Sequence, residues 1–146
     1  MISYQKVMVC DEIEVLRGKE STFANLHYAY DQQTIDLLQK NFTRPDSLYT
    51  MVRDGERFVA FCATDSDWWE PHTFFLREIF VMPDYQRSGI GDVLMKESIA
   101  HAQSHRAKGI VTETALENVP MQKLCENNGF QRWENPQWKE GITYKL

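Results

Sequence analysis

Between Ile79 and Ile99 the chain reads IFVMPDYQRSGIGDVLMKESI, and the residues in its middle are suited to holding an anion. Gln86-Arg87-Ser88-Gly89-Ile90-Gly91 joins an apolar strand-like run to a helix-like one. A strand that feeds a helix through a glycine turn aims backbone N–H groups and the positive end of the helix dipole at one spot, and phosphate is the usual guest. Glycines at 89 and 91 remove Cβ atoms where backbone must come close to such a group. The N–H groups of Arg87 through Asp92 would line the cradle, and the Arg87 guanidinium can add a charge-assisted contact. A carboxylate, Glu78, interrupts the apolar run TFFLREIFVM just upstream, and Glu113 sits in GIVTETAL. Each is either a structural or solvated charge or a group whose partly buried site raises its pKa for proton transfer. His101 and His105 lie one helical turn apart, but no third metal ligand accompanies them, so a solvated face is the better reading.

The glycine turn excludes two common phosphate motifs. No G-x-x-x-x-G-K-[ST] loop exists in the chain. Gly89-Ile90-Gly91-Asp92-Val93-Leu94 lacks the third glycine of a dinucleotide-binding turn.

The elements that must position these residues can be read from the patterning. Residues 2–10 are β-prone and predict a first strand. Phe23, Leu26, Tyr30, Leu37, Leu38 and Phe42 recur at helical spacing and predict two helices over 21–42, broken near Asp31 by the polar DQQT. Arg44-Pro45-Asp46 ends that segment. Asp54-Gly55 between two β-rich runs predicts a hairpin with a type I′ turn. TFFLREIFVM predicts a central strand covered on both sides. A helix follows in which Ile90, Leu94, Met95, Ile99 and Ala102 share a face. GIVTETAL is a further strand, and NVPMQKLCENNGF a short helix with Asn118 as N-cap, Pro120 in the first turn and Gly129 after its end. Two strands around a Pro/Gly-containing connection finish the chain. The sum is one α/β domain over residues 1–146, a mixed sheet with helices on both faces.

Composition narrows the function. The chain has 146 residues, 42% hydrophobic and 12% aromatic, with a formal net charge of -5. Such a balance, without runs of Lys or Arg, argues against nucleic acid as a partner. No apolar run approaches membrane-spanning length, so no membrane is expected. Cys10, Cys62 and Cys125 are scattered, which predicts free thiols, no structural zinc and a cytoplasmic location.

Val81-x-Pro83-x-Tyr85-Gln86-Arg87-Ser88-Gly89-Ile90-Gly91 closely resembles the acetyl-CoA signature of the GNAT family of N-acetyltransferases, [QR]-x-x-G-x-[GA] after a strand ending in V-x-P. Downstream, Asn118, Leu124-Cys125 and Gly129-Phe130 are similar to the family's N-x-x-x-x-x-L-Y-x-x-x-G-F pattern. The resemblance covers about residues 73–131, and the N-terminal half only by element order.

It implies a mostly antiparallel central sheet that splays open after Ile79-Phe80-Val81. Exposed peptide groups there would pair with the pantetheine arm, with the Asn118 side chain bonding the same arm. Gln86, Arg87, Ser88, Gly89, Ile90, Gly91 and Asp92 would hold the pyrophosphate. It also implies direct transfer of the acetyl group of acetyl-CoA, in a ternary complex, to a primary amine of a small molecule or protein, with no metal. The backbone N–H of Val81 would polarise the thioester carbonyl. Glu78, favoured slightly, or Glu113 would be the base. Cys125 stands where the family usually has an acid tyrosine. It is either a packing residue or a proton donor, with Tyr144, Tyr28 or plain loss of thiolate as alternatives.

Trp68 and Trp69 either wall an acceptor pocket or cap a sheet edge, with Tyr28 a further acceptor-side residue. The acidic loop Asp65-Ser66-Asp67-Trp68-Trp69-Glu70 is expected to favour an acceptor with a second positive charge, or else to be a solvated connection. The rival function is a non-catalytic acyl-CoA-binding module. A homodimer is allowed by the resemblance.

Overall fold

The structure, a computed structural model, describes the backbone of residues 1–23, 26–66 and 70–146, and their side chains outside 20–29. The elements are β1 (Ile2–Lys6), β2 (Glu20–Phe23), β3 (Leu26–Ala29), α1 (Gln32–Phe42), β4 (Leu48–Asp54), β5 (Arg57–Asp65), β6 (Thr73–Val81), α2 (Ile90–Ser104), β7 (Gly109–Ala115), α3 (Val119–Asn127), β8 (Gln131–Trp133) and β9 (Gly141–Lys145). Short 3-10 helices occupy Cys10–Leu16 and Pro83–Tyr85.

Seven strands form one sheet in the order β1-β4-β5-β6-β7-β9-β8, and only the β6–β7 pair is parallel. β6 is the fourth of the seven, the central strand its apolar run predicts. Two apolar layers cover the sheet. Leu94 and Met95 of α2, with Met121 and Cys125 of α3, pack over one face. Ile35 and Leu38 of α1, with Ile13 and Leu16 of the first 3-10 helix, pack over the other. The expected α/β architecture with helices on both faces is what the chain adopts.

Two irregularities in β6 matter for the site. Ala63 pairs with Glu78 but Thr64 pairs with Leu76, so Arg77 is an extra residue, a β-bulge. Before it, Phe74 and Leu76 face the α2–α3 layer; after it, Ile79 and Val81 do, and Phe80 enters the α1 layer. The bulge thus reverses the side-chain parity of the strand and carries Glu78 to the α1 side. The second irregularity is a fork. β6 and β7 pair only from Thr73↔Gly109 to Leu76↔Thr112. Beyond that point β6 continues along β5 and β7 along β9. The expected splay is present but opens at Arg77, earlier than Ile79-Phe80-Val81, because the bulge already disrupts the ladder there.

Other expectations need correction. The described residues 21–23 and 26–29 are not helical: β2 and β3 pair antiparallel with Phe23 opposite Leu26. The apolar spacing over 23–30 fits either period, and pairing of the β-prone residues decides it. Asp31 marks the start of α1 rather than a break, its side chain accepting the Thr34 N–H at 2.9 Å. β1 ends at Lys6, and the 3-10 helix at Cys10–Leu16 had no sequence signal. The hairpin forms where Asp54-Gly55 predicts it. However, only Gly55 takes positive φ (61°), so the turn is not type I′. No described helix is long and apolar enough to cross a membrane.

Candidate functional site

The fork opens a cleft of about 1240 Å³ that runs through the sheet from the α2–α3 face to the α1 face. Ile79 and Val81 line it from β6, Glu113 and Ala115 from β7, Asn118 and Leu124 from the α3 region, and Leu37 from α1.

At one end stands the N-terminus of α2. Gly89 is its N-cap at φ 90°, and no side chain caps it. The first bond into the helix runs from the Val93 N–H to the Gly89 carbonyl (3.1 Å), so the N–H groups of Ile90, Gly91 and Asp92 have no intrahelical acceptor. Arg87 also takes positive φ (64°), a conformation non-glycine residues rarely hold. Its side chain is exposed and lines the cleft, as does that of Lys123.

Gly91 tests whether a ligand is implied. A Cβ there would meet only Leu124 Cδ2, at 3.5 Å, an ordinary contact, and its φ is not positive. Neither packing nor backbone conformation within the protein calls for glycine. The turn leaves room for a group from outside, and its uncapped donors with two cations fit a diphosphate.

The surroundings of the turn are fixed by its own side chains. Gln86 Nε2 donates to the Val81 carbonyl at 3.1 Å, and the Ser88 hydroxyl bonds the Tyr85 carbonyl. Asp92 turns its carboxylate to Lys96 (2.6 Å) and Asn128 (3.0 Å), which hold its pKa below the usual range. Only its backbone N–H is left for a ligand.

Toward the α1 face the cleft is lined by Arg77, Glu78 and Glu113. Glu78 is half-buried, and burial pushes its pKa up to about 7 against the opposing pull of the Tyr30 hydroxyl, which donates to Oε1 at 2.8 Å, and of Arg77. Burial also raises Glu113, again opposed by Arg77, and Glu113 has no hydrogen bond or ion pair among the described residues. The structural ion-pair alternative for Glu78 therefore does not hold in simple form: its direct partner is a phenol, while Arg77 is bonded to Asp65.

Not every expected residue reaches the cleft. Ile79, Val81, Gln86, Arg87, Gly89, Gly91, Asp92 and Asn118 line it. Phe80 and Ile90 send their side chains into the core, and Ser88 into its turn. The Asn118 Oδ1 caps α3 by accepting the Met121 N–H at 3.2 Å, which leaves its Nδ2 for a ligand.

Cys125 lies at 0% exposure in the α2–α3 layer and does not line the cleft, and burial pushes its pKa up to about 12. That placement fits the packing alternative. Tyr144 is buried too, its hydroxyl donating to Glu126 at 2.9 Å. Tyr28 lies on β3, paired with Ser21, with its side chain outside the described residues. Trp68 and Trp69 fall outside them altogether. Asp65 is not available to attract an acceptor cation: it is 1% exposed and bound to Arg77, Ser47 and Tyr49.

Arg77, Lys123, Trp138 and Glu140 line the cleft without having been singled out in the sequence. Arg77, next to Glu78 in an apolar strand, was the one legible signal among them.

The sequence model described as Acetyltransferase (GNAT) family matches residues 12–130. A mycothiol acetyltransferase of Corynebacterium glutamicum (strain R) is 30% identical over 88 residues, 58% of this chain and 28% of that protein, so the match spans little more than a quarter of the relative. Among solved structures, the ribosomal-protein-S18-alanine N-acetyltransferase of Escherichia coli superposes with a TM-score of 0.76 at 17% identity, over 100% of this chain and 93% of that one. The PaiA N-acetyltransferase of Thermoplasma acidophilum, in complex with coenzyme A, gives 0.76 at 16% identity over 99% and 98%. These two likenesses establish the shared fold.

Proposed function

The chain belongs to the acetyltransferase (GNAT) family, and on that premise we propose that it transfers the acetyl group of acetyl-CoA to a primary amine of a small molecule or protein within a ternary complex. One observation carries this reading: the fork between β6 and β7 joins an uncapped helix N-terminus to a half-buried carboxylate in a single cleft.

The N–H groups of Ile90, Gly91 and Asp92, with the Arg87 and Lys123 side chains, would hold the diphosphate. The β6 peptide groups beyond Leu76, released from β7, would take the pantetheine amides as an added strand, assisted by Asn118 Nδ2. Bound acetyl-CoA supplies an acetyl thioester, whose C–S bond breaks as its carbonyl carbon bonds the amine nitrogen and whose sulfur leaves as thiolate.

Glu78 removes the proton from the acceptor ammonium, directly or through water. The Tyr30 hydroxyl takes one lone pair of the Glu78 Oε1, and the carboxylate has others left for that work. A carboxyl group titrating near 7 can both take that proton and return it to a thiolate. The buried Cys125 is then not needed as acid. Val81 offers its N–H to the developing charge on the carbonyl oxygen. Glu113 adds negative charge beside the ammonium.

Thiol release from acetyl-CoA across an amine panel tests the activity, read beside calorimetric CoA binding. Binding without release from any amine would make the chain an acyl-CoA-binding module instead.

A further inference from the structure

We propose that Arg77 orients the acceptor, and that the acceptor is an α-amino acid whose carboxylate lies on the Arg77 guanidinium while its amine faces Glu78; this rests on the acetyl-transfer reading above. In a regular strand, neighbouring side chains point to opposite faces. The bulge at Arg77 removes that alternation, so Arg77 and Glu78 both line the cleft on the α1 side.

Arg77 is held there from behind. Its side chain is 19% exposed, its Nε donates to Asp65 Oδ2, and its guanidinium lies 5.0 Å from the centre of the Phe75 ring. Asp65 is itself fixed by the hydroxyls of Ser47 (3.1 Å) and Tyr49 (3.0 Å). A guanidinium carries five N–H donors, and this one uses only the Nε donor among the described residues. The two Nη groups thus keep their donors at the wall of the cleft, where an oxygen ligand can take them.

A carboxylate meets an Nη pair with two parallel hydrogen bonds, and an α-amino acid bears its amine on the adjoining carbon. Glu78 and Glu113 then face the ammonium. A second cation is disfavoured here, because Arg77 is already positive and Asp65 is spent on it. Leu37 and Trp138 give the same cleft apolar walls for the acceptor side chain. Trp138 is held close to the β7–β9 ladder: a Cβ at Gly141 would overlap its Cη2 at 2.2 Å.

The test compares matched pairs, leucine with 3-methylbutylamine, phenylalanine with 2-phenylethylamine, and lysine with cadaverine, by thiol release. In parallel, calorimetry compares N-acetylleucine with N-(3-methylbutyl)acetamide as ligands. Each amino acid should exceed its decarboxylated partner by about tenfold or more in kcat/KM, and N-acetylleucine should bind tighter by a similar factor. Arg77→Lys keeps a cation for Asp65 but loses the fork. It should bring both ratios close to one, chiefly through KM.

Equal values in the wild type, or a preference for cadaverine over lysine, would overturn the proposal and leave acetyl transfer standing. A wild-type preference that survives in both Arg77→Lys and Arg77→Gln would overturn the assignment to Arg77. If no amine releases thiol yet N-acetylleucine keeps its tenfold advantage, the Arg77 site stands and the acetyl-transfer reading fails.

Discussion

Glu78 is subject to opposing influences, and burial outweighs the rest. Loss of water around its carboxylate raises the pKa to about 7, although the Tyr30 hydroxyl and the Arg77 charge both favour the ionised form. If Glu78 is the base, activity rises with pH through a limb centred near 7. Glu78→Gln should remove that limb and lower kcat by roughly 10²-fold with CoA affinity retained. The same loss from Glu113→Gln instead would reverse the ranking.

The stability effect has the opposite direction. The folded protein holds this proton to higher pH than the unfolded chain, so Glu78 favours folding less as pH rises from about 4.5 to about 7. Thermal melts should therefore show Glu78→Gln gaining on the wild type between pH 5 and pH 8. Read as a packing residue, Cys125 gives a further prediction at this scale. Cys125→Ala should cost about 1 kcal/mol of stability with little change in kcat, and Cys125→Tyr about 1–3 kcal/mol through overpacking. A rate loss in Cys125→Ala out of proportion to its stability would restore it as a donor.

At the scale of elements, the start of α2 and the bulge of β6 do most to shape the cleft. Gly91 sits in the first helical turn, where alanine would be favoured by up to about 1 kcal/mol and would touch only Leu124. Gly91→Ala should therefore leave the melting temperature equal or higher while weakening CoA binding. Gly91→Asp should abolish binding by adding a negative charge. Unchanged CoA affinity in both variants would remove the diphosphate from this turn. Gly89 differs, since its φ of 90° burdens any side chain there, so its variants mix strain with lost binding.

For the molecule as a whole, the fork divides the sheet. β7, β9 and β8 join the rest of it through four residue pairs of β6 and β7. A ligand that pairs with β6 beyond Leu76 and also contacts α3 would tie the two parts together. Acetyl-CoA at about 100 times its dissociation constant contributes about 2.7 kcal/mol, which for a chain of this size raises Tm by roughly 5–10 °C. Amide exchange should slow along β6 from Arg77 to Val81 in the same experiment. Neither change should occur in Gly89→Asp.

Local chemistry was legible in the sequence wherever the chain itself builds the feature. The glycine turn, the caps at Asn118 and Gly129, the hairpin at Gly55 and the apolar central strand all follow from short-range rules, and so does the uncapped α2 end of the cleft. The helical reading failed at 21–23 and 26–29 because apolar residues spaced three and four apart do not exclude strand pairing over so short a run. The face of Glu78 was beyond sequence reasoning, since it depends on a bulge that appears only when β6 is laid against β5. Likewise the engagement of Asp65 by Arg77, and the burial of Cys125, depend on residues far apart in sequence. Sequence patterning thus determined the fold class and the glycine turn that opens α2, which arise from neighbours along the chain. Tertiary structure decided which carboxylates face the cleft and which charges are already neutralised, because those are set by desolvation and by partners that only folding brings together.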